Sequence, residues 1–150
     1  MSRSGYVDMD NDHLAAARWR SAVRNAINGK RGQAFLRELA AVLDAMPDKK
    51  LSAYVWDEPI TGMPFAPKGG EVCALGAVTR ARGIDATMHD PEDSSAVDAV
   101  ADELGIAPAM AREIVWLNDD AYLHRTTPEE RWQHIRDWVE AHIKRDEKIE

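Results

Sequence analysis

Apolar residues recur every three or four positions along almost the whole chain, and most such stretches stop at a glycine or a proline. A chain so patterned folds as helices that bury one oily stripe each against their neighbours, with little left over for sheet. A first helix is expected from an Asp12 cap to Asn28, with Leu14, Trp19, Val23 and Ile27 on one stripe and a stop at Gly29. A second is expected from Gln33 to Met46, with Phe35, Leu36, Leu39, Val42, Leu43 and Met46 inward and Pro47 ending it. A third fits Glu71–Arg82, where Cys73, Ala74, Gly76 and Ala77 are small enough for close approach to a neighbour, and Gly83 ends it. Ser94 or Ser95 caps a fourth that runs to Leu104 and breaks at Gly105, and Pro108 opens a fifth that reaches Asn118. The run Thr127-Pro128-Glu129-Glu130 reads as a capping box with proline at the first helical position. It starts a last helix that reaches Lys144 and buries Trp132, Ile135, Val139 and His142 or Ile143.

Between the second and third helices, Leu51–Trp56 has the composition of a short strand without an obvious partner. Glu58–Gly70 holds Pro59, Pro64, Pro67, Gly62, Gly69 and Gly70 and reads as a loop. The expectation is an all-α fold, one compact domain of about six helices, with that Pro/Gly-rich loop near 58–70 and at most one short strand. Residues 1–11 are expected to be a tail, 12–144 the helical domain, and 145–150 a second tail. At 150 residues, 45% of them hydrophobic, the chain can bury a core of its own. It has no apolar run near the roughly 20 residues of a membrane span, and no secretory leader is visible in its first residues. A single cysteine, Cys73, excludes an internal disulfide and a cysteine-based zinc cage, and suits a cytoplasmic location.

The net charge of −7 is unevenly spread. Residues 1–56 carry nine Lys/Arg against six Asp/Glu, whereas residues 57–150 carry ten against twenty. From Arg18 to Arg37 there are six bases and no acid, and from Asp85 to Asp120 there are ten acids and one base, Arg112. Such poles steer partners at long range, or simply keep two faces solvated.

Four constellations have the parts for binding. Gly29-Lys30-Arg31-Gly32 before a helix offers backbone N–H groups, a helix dipole and two cations, which with Arg24 and Arg37 would suit a phosphate or carboxylate; the plain alternative is an exposed interhelical turn. It lacks the spacing and the Ser/Thr of a Walker loop. Residues 96–118 have the small residue, turn glycine and apolar spacing of a helix-turn-helix, but they lie in the acidic stretch, which disfavours DNA. Asp98, Asp102 and Glu103 on that acidic surface, together with Trp56 and Phe65 flanking the Pro/Gly loop, are candidate contacts for a protein partner; a loop folded back on the core is the alternative for the aromatics. Asp119, Asp120 and His124 cluster after a helix without the spacing of a dedicated metal site, and no metal or cofactor is expected. No nucleophile, base and oxyanion set is visible, and no catalytic residue is assigned.

Several of these blocks are similar to a group of uncharacterised proteins of tailed phages and prophages. The resemblance rests on Ile27–Leu39 (Ile-Asn-Gly-Lys-Arg-Gly-Gln-Ala-Phe-Leu-Arg-Glu-Leu), Ala45-Met46-Pro47, Gly70–Ala77, Ala81–Asp85 and Thr127–Trp132, in that order, and covers the chain from about Trp19 to Ile143. The Leu51–Gly70 segment is longer here than in that group. The resemblance implies an accessory protein acting inside a bacterial cell, and it carries no residue roles. The leading expectation is therefore a non-enzymatic protein that binds a host protein, such as an enzyme or a defence system, through its charged surfaces. A protein that binds or sequesters a small phosphorylated ligand or nucleotide comes second, and a helix-turn-helix regulator third.

Overall fold

A computed structural model describes residues 3–4, 13–59, 68–121 and 126–145. Six helices, α1 (His13–Asn28), α2 (Lys30–Ala45), α3 (Ala74–Arg82), α4 (Ser94–Leu104), α5 (Pro108–Asp119) and α6 (Pro128–His142), surround one hydrophobic core to which all of them contribute. The fold is all-α, with a small ribbon of two strands, β1 (Asp57–Pro59) and β2 (Lys68–Val72), between α2 and α3.

The local signals sit where the chemistry puts them. Thr127 accepts from the Glu130 amide at 3.1 Å while Glu130 accepts from the Thr127 amide at 3.2 Å, closing both ends of a capping box at the start of α6. Gly83 and Gly105 both adopt φ 74°, the left-handed cap that leaves glycine unstrained, at the ends of α3 and α4. The cap of α4 is Asp93 rather than either serine: its carboxylate accepts from the Ser95 amide at 2.9 Å.

Helix α5 is the axis of the bundle and touches α1, α3, α4 and α6. Nine of its residues, from Ala109 to Asp119, are buried, and Pro108, Arg112 and Trp116 form the one stripe that is not. Trp132 closes the other side of the core, donating its indole N–H to the Leu43 carbonyl at 3.2 Å and so joining α6 to α2. On α1 the stripe begins later than expected: Leu14 is 62% exposed, while Val23 and Ile27 are buried.

Three expectations need correction. The first concerns Gly29–Gly32, which is not a loop. Gly29 alone separates α1 from α2, in an extended conformation, and Lys30, Arg31 and Gly32 form the first turn of α2. A Cβ on Gly32 would stand 1.9 Å from the Ala26 carbonyl oxygen, so glycine is what lets α2 lie against the end of α1. The second concerns the sheet, which has two strands where at most one was expected. Leu51–Trp56 is not one of them; it runs as irregular chain, held by Leu51 N–H to Pro128 O at 3.0 Å and Ser52 N–H to Val72 O at 2.9 Å. Strand β1 pairs antiparallel with β2, Asp57 opposite Val72, and β2 takes residues 71–72 that the helical period assigned to α3. The third concerns the N-terminal segment read as a tail, in which Arg3 and Ser4 are buried.

Gly32→Ala is expected to destabilise the fold by about 1–3 kcal/mol, the range for forcing extra volume into a packed contact. A lowered urea midpoint at unchanged slope is the measurement that checks it.

Candidate functional site

The residues picked from the sequence do not assemble into one place. Arg24, Lys30, Arg31 and Arg37 are exposed along α1 and α2, while Gly32 is buried in the contact between these two helices. Arg37 donates to the Lys144 carbonyl at 2.6 Å, which ties α2 to the residues after α6. The buried Gln33, one position past the expected loop, does more at this corner. It donates to Ile27 O at 2.8 Å and His142 O at 3.0 Å and accepts from the Lys144 amide at 2.7 Å. The basic block thus frames a helix junction, with glycine and glutamine both turned to packing.

The acidic stretch is similarly occupied by its own neighbours. Asp98 receives a two-pronged contact from Arg112 at 3.0 Å, and Glu103 meets His89 at 2.9 Å. Asp85, Asp90 and Asp93 accept from amides two residues ahead, and Asp119 and Glu113 are buried. Asp102 is exposed on α4. Trp56 is 1% exposed, so the aromatic anchor expected beside the loop is instead a core residue, whose indole N–H donates to Asp90 O at 3.3 Å. Phe65 and His124 lie outside the described residues. In the helix pair 94–119 the unburied residues of α5 are Pro108, Arg112 and Trp116, and the one cation among them, Arg112, is held by Asp98.

Two features were not found from the sequence. One is a polar cradle at the C-terminal end of α5. Asn118 accepts from the Ala74 amide at 3.0 Å and donates to Ser52 O at 3.0 Å, pinning the start of α3 to the irregular chain before β1. Arg131 reaches in from α6 to Asn118 O at 2.7 Å. Asp119 accepts from the Tyr54 amide at 2.9 Å, a contact for which Tyr54 takes a left-handed φ of 60°. Into this cradle comes Arg3, with Nε 2.6 Å and Nη2 3.0 Å from the two oxygens of Asp119 and its guanidinium carbon 4.2 Å from the centre of the Trp56 ring. Neither charged side chain of this pair has any exposed surface. Burial opposes the charge on Arg3, but Cys73 and Asp119 outweigh it and raise its pKa. Cys73 caps α3 with its sulfur on the Gly76 amide at 3.3 Å, and burial pushes its thiol pKa up.

The other feature is an open groove of about 1280 Å³ between α2, the chain from Met46 to Val55, the ribbon and α3. Its floor is apolar: Ala41, Val42, Ala45 and Met46 from one wall face Val55 and Val72 on the other. Its rim includes Asp48, Glu58 and Glu71, which have no cationic partner among the described side chains, whereas Arg80 is held by Asp57 at 2.7 Å and Lys50 by Glu129 at 3.6 Å. Neither His nor Cys lines it. A signal for this groove was present on α2, whose apolar stripe is wider than one packing face needs: Ala41 and Ala45 are exposed and Val42 and Met46 only half-buried.

Among the described residues no cluster of three or more His, Cys, Asp or Glu could hold a metal ion, and no helix is long and apolar enough to cross a membrane. No protein-family model, no curated protein and no solved structure matches this chain.

The Tyr54 hydroxyl donates to Asp120 at 2.7 Å, and that bond, then burial, raises its pKa to about 12. The folded protein therefore keeps the phenol proton over a range where the unfolded chain, near the ordinary tyrosine value of 10.0, has lost it. Stability from this group is complete below pH 10 and drains away between pH 10 and 12. Tyr54→Phe is expected to flatten that part of the stability–pH curve, and ultraviolet titration of the phenolates should lose its late-titrating component.

Proposed function

We propose that this chain is a non-enzymatic binding protein, and that the groove between α2 and α3 receives an amphipathic segment whose apolar face is flanked by Lys and Arg. The single observation that carries this reading is the combination of an apolar floor with rim carboxylates that have no cationic partner among the described side chains. At about 1280 Å³ the groove exceeds the few hundred to 1,000 Å³ of a small-molecule site, and it is open along its length, as a helix-in-groove contact requires. Its lining offers side chains for packing and charge pairing rather than a nucleophile beside a base. Carboxylates at the rim repel phosphate, which counts against a phosphorylated ligand here; the exposed cations at the start of α2 carry no enclosing wall of their own among the described residues.

The resemblance to phage and prophage proteins supplies the setting: the segment belongs to a bacterial host protein, and occupying it would block whatever that segment otherwise binds. Basic amphipathic segments commonly contact nucleic acid or membrane, so a protein that covers one acts as an inhibitor.

A fluorescently labelled helical peptide of Leu and Lys, with Leu on one face, is the probe. Saturable binding that weakens with salt is expected, and Ala45→Trp, which fills the floor from an exposed position, should weaken it by roughly tenfold or more. Equal binding by Ala45→Trp, or equal binding of a peptide in which Glu replaces every Lys, would remove the groove as the docking site.

A further inference from the structure

The elbow between α1 and α2 gathers cations from three parts of the chain, which the net charge of −7 conceals. Lys144 Nζ stands 3.3 Å from the Asn28 carbonyl at the end of α1, and Arg37 donates from α2 to the Lys144 carbonyl at 2.6 Å. Lys30 lies two turns before Arg37 on the same stripe of α2, and Arg24 lies one turn before Asn28 on α1. Arg24 and Lys30 are exposed and meet no acid among the described residues, and the sequence from Arg18 to Arg37 contains none. Acids of the flanking helices are already met by other cations: Glu113 is buried with Arg20 at 3.6 Å, and Glu140 faces Arg136 at 3.1 Å and Arg145 at 3.2 Å.

A second feature adjoins this corner. The buried Gln33 amide donates to the His142 carbonyl at 3.0 Å and so fixes the end of α6 against the same elbow. There the His142 and Trp138 rings stack, with centres 4.6 Å and planes 31° apart, and His142 Nδ1 donates to the Trp138 carbonyl at 2.7 Å. Trp138 is half-buried and His142 exposed, so the indole backs an imidazole whose other side meets solvent. Exposed cations beside an exposed, braced ring suit a flexible polyanion that carries flat rings of its own. Single-stranded nucleic acid has both parts, phosphates for the cations and bases to stack. An acidic peptide segment supplies charge without the rings, and a duplex keeps its bases stacked on one another.

We propose that Arg24, Lys30, Arg37 and Lys144, together with the His142 ring, form a surface that binds single-stranded nucleic acid without preference for base sequence. The cations take successive phosphates, and one base stacks on His142. The surface is separate from the groove between α2 and α3, and the assignment stands whether or not that groove binds a peptide.

The probe is a fluorescently labelled oligothymidylate of about 15 nucleotides, followed by anisotropy with the full chain. Saturable binding is expected at low salt, and with four phosphates met it should weaken roughly fiftyfold between about 50 and 200 mM salt. The double variant Arg24→Gln/Lys30→Gln, altered only at exposed positions, should reduce that salt effect to roughly sevenfold. His142→Ala keeps the carbonyl that Gln33 binds and should weaken binding roughly fivefold or more, and His142→Tyr should restore it. A strand without bases should bind the wild type as weakly as the intact strand binds His142→Ala. Ala45→Trp, which fills the groove on the other side of α2, should leave all of this unchanged. The proposal fails if nothing binds at low salt, if the double variant or His142→Ala binds like the wild type, or if Ala45→Trp abolishes binding. It fails equally if polyglutamate or a duplex of the same charge competes as well as the single strand does.

Discussion

Burying most of α5 forces its last turn to solve a polar problem in the middle of the protein. Asn118 and Asp119 are buried, and a buried polar group left unpaired costs more than the bond it lacks would have gained. The solution is to recruit partners from four separate stretches: Arg3, the Ser52–Tyr54 turn, the amide of Ala74 at the start of α3, and Arg131 of α6. Much of the irregular backbone in the molecule follows from that demand. The left-handed Tyr54, the chain running past β2 without becoming a strand, and the buried position of Arg3 all deliver hydrogen-bond partners to the end of one helix.

Charge in this protein is consumed locally. The acidic run from Asp85 to Asp120 suggested a field directed at a partner, yet most of these carboxylates cap turns or hold a neighbouring cation. Exposed pairs of this sort contribute little to stability, and their effect is to cancel what the sequence count leaves uncancelled. Of the acids whose side chains meet no partner among the described residues, Glu92 and Asp102 remain in that run, and Asp48, Glu58 and Glu71 lie around the groove. Net charge along a chain is therefore a poor guide to net potential over a surface, because pairing is decided by the fold.

What could be read beforehand divides along the same line. Signals that act within one turn were legible: the Thr127–Glu130 box, the left-handed glycines 83 and 105, and the proline at the head of α5 need no knowledge of the rest of the chain. Gly32 was not, because a glycine demanded by the Ala26 carbonyl looks, in sequence, like one demanded by a loop. Nor was Trp56, since an aromatic next to a Pro/Gly-rich run has the same local signature whether it faces water or Arg3. Strand β1, three residues long and without a β-branched side chain, exists only because β2 lies beside it. Arg3 meeting Asp119 joins positions 116 residues apart, and no periodicity reports on a contact of that kind.

Gln33 has an implication for the order in which the protein can be made. Its amide is completed only by His142 and Lys144, so the elbow between α1 and α2 has its full set of bonds only once residue 144 is in place. During synthesis α3 and α5 can cover the apolar stripes of α2 and α1 before α6 exists, so packing of the first third precedes the latching of its elbow.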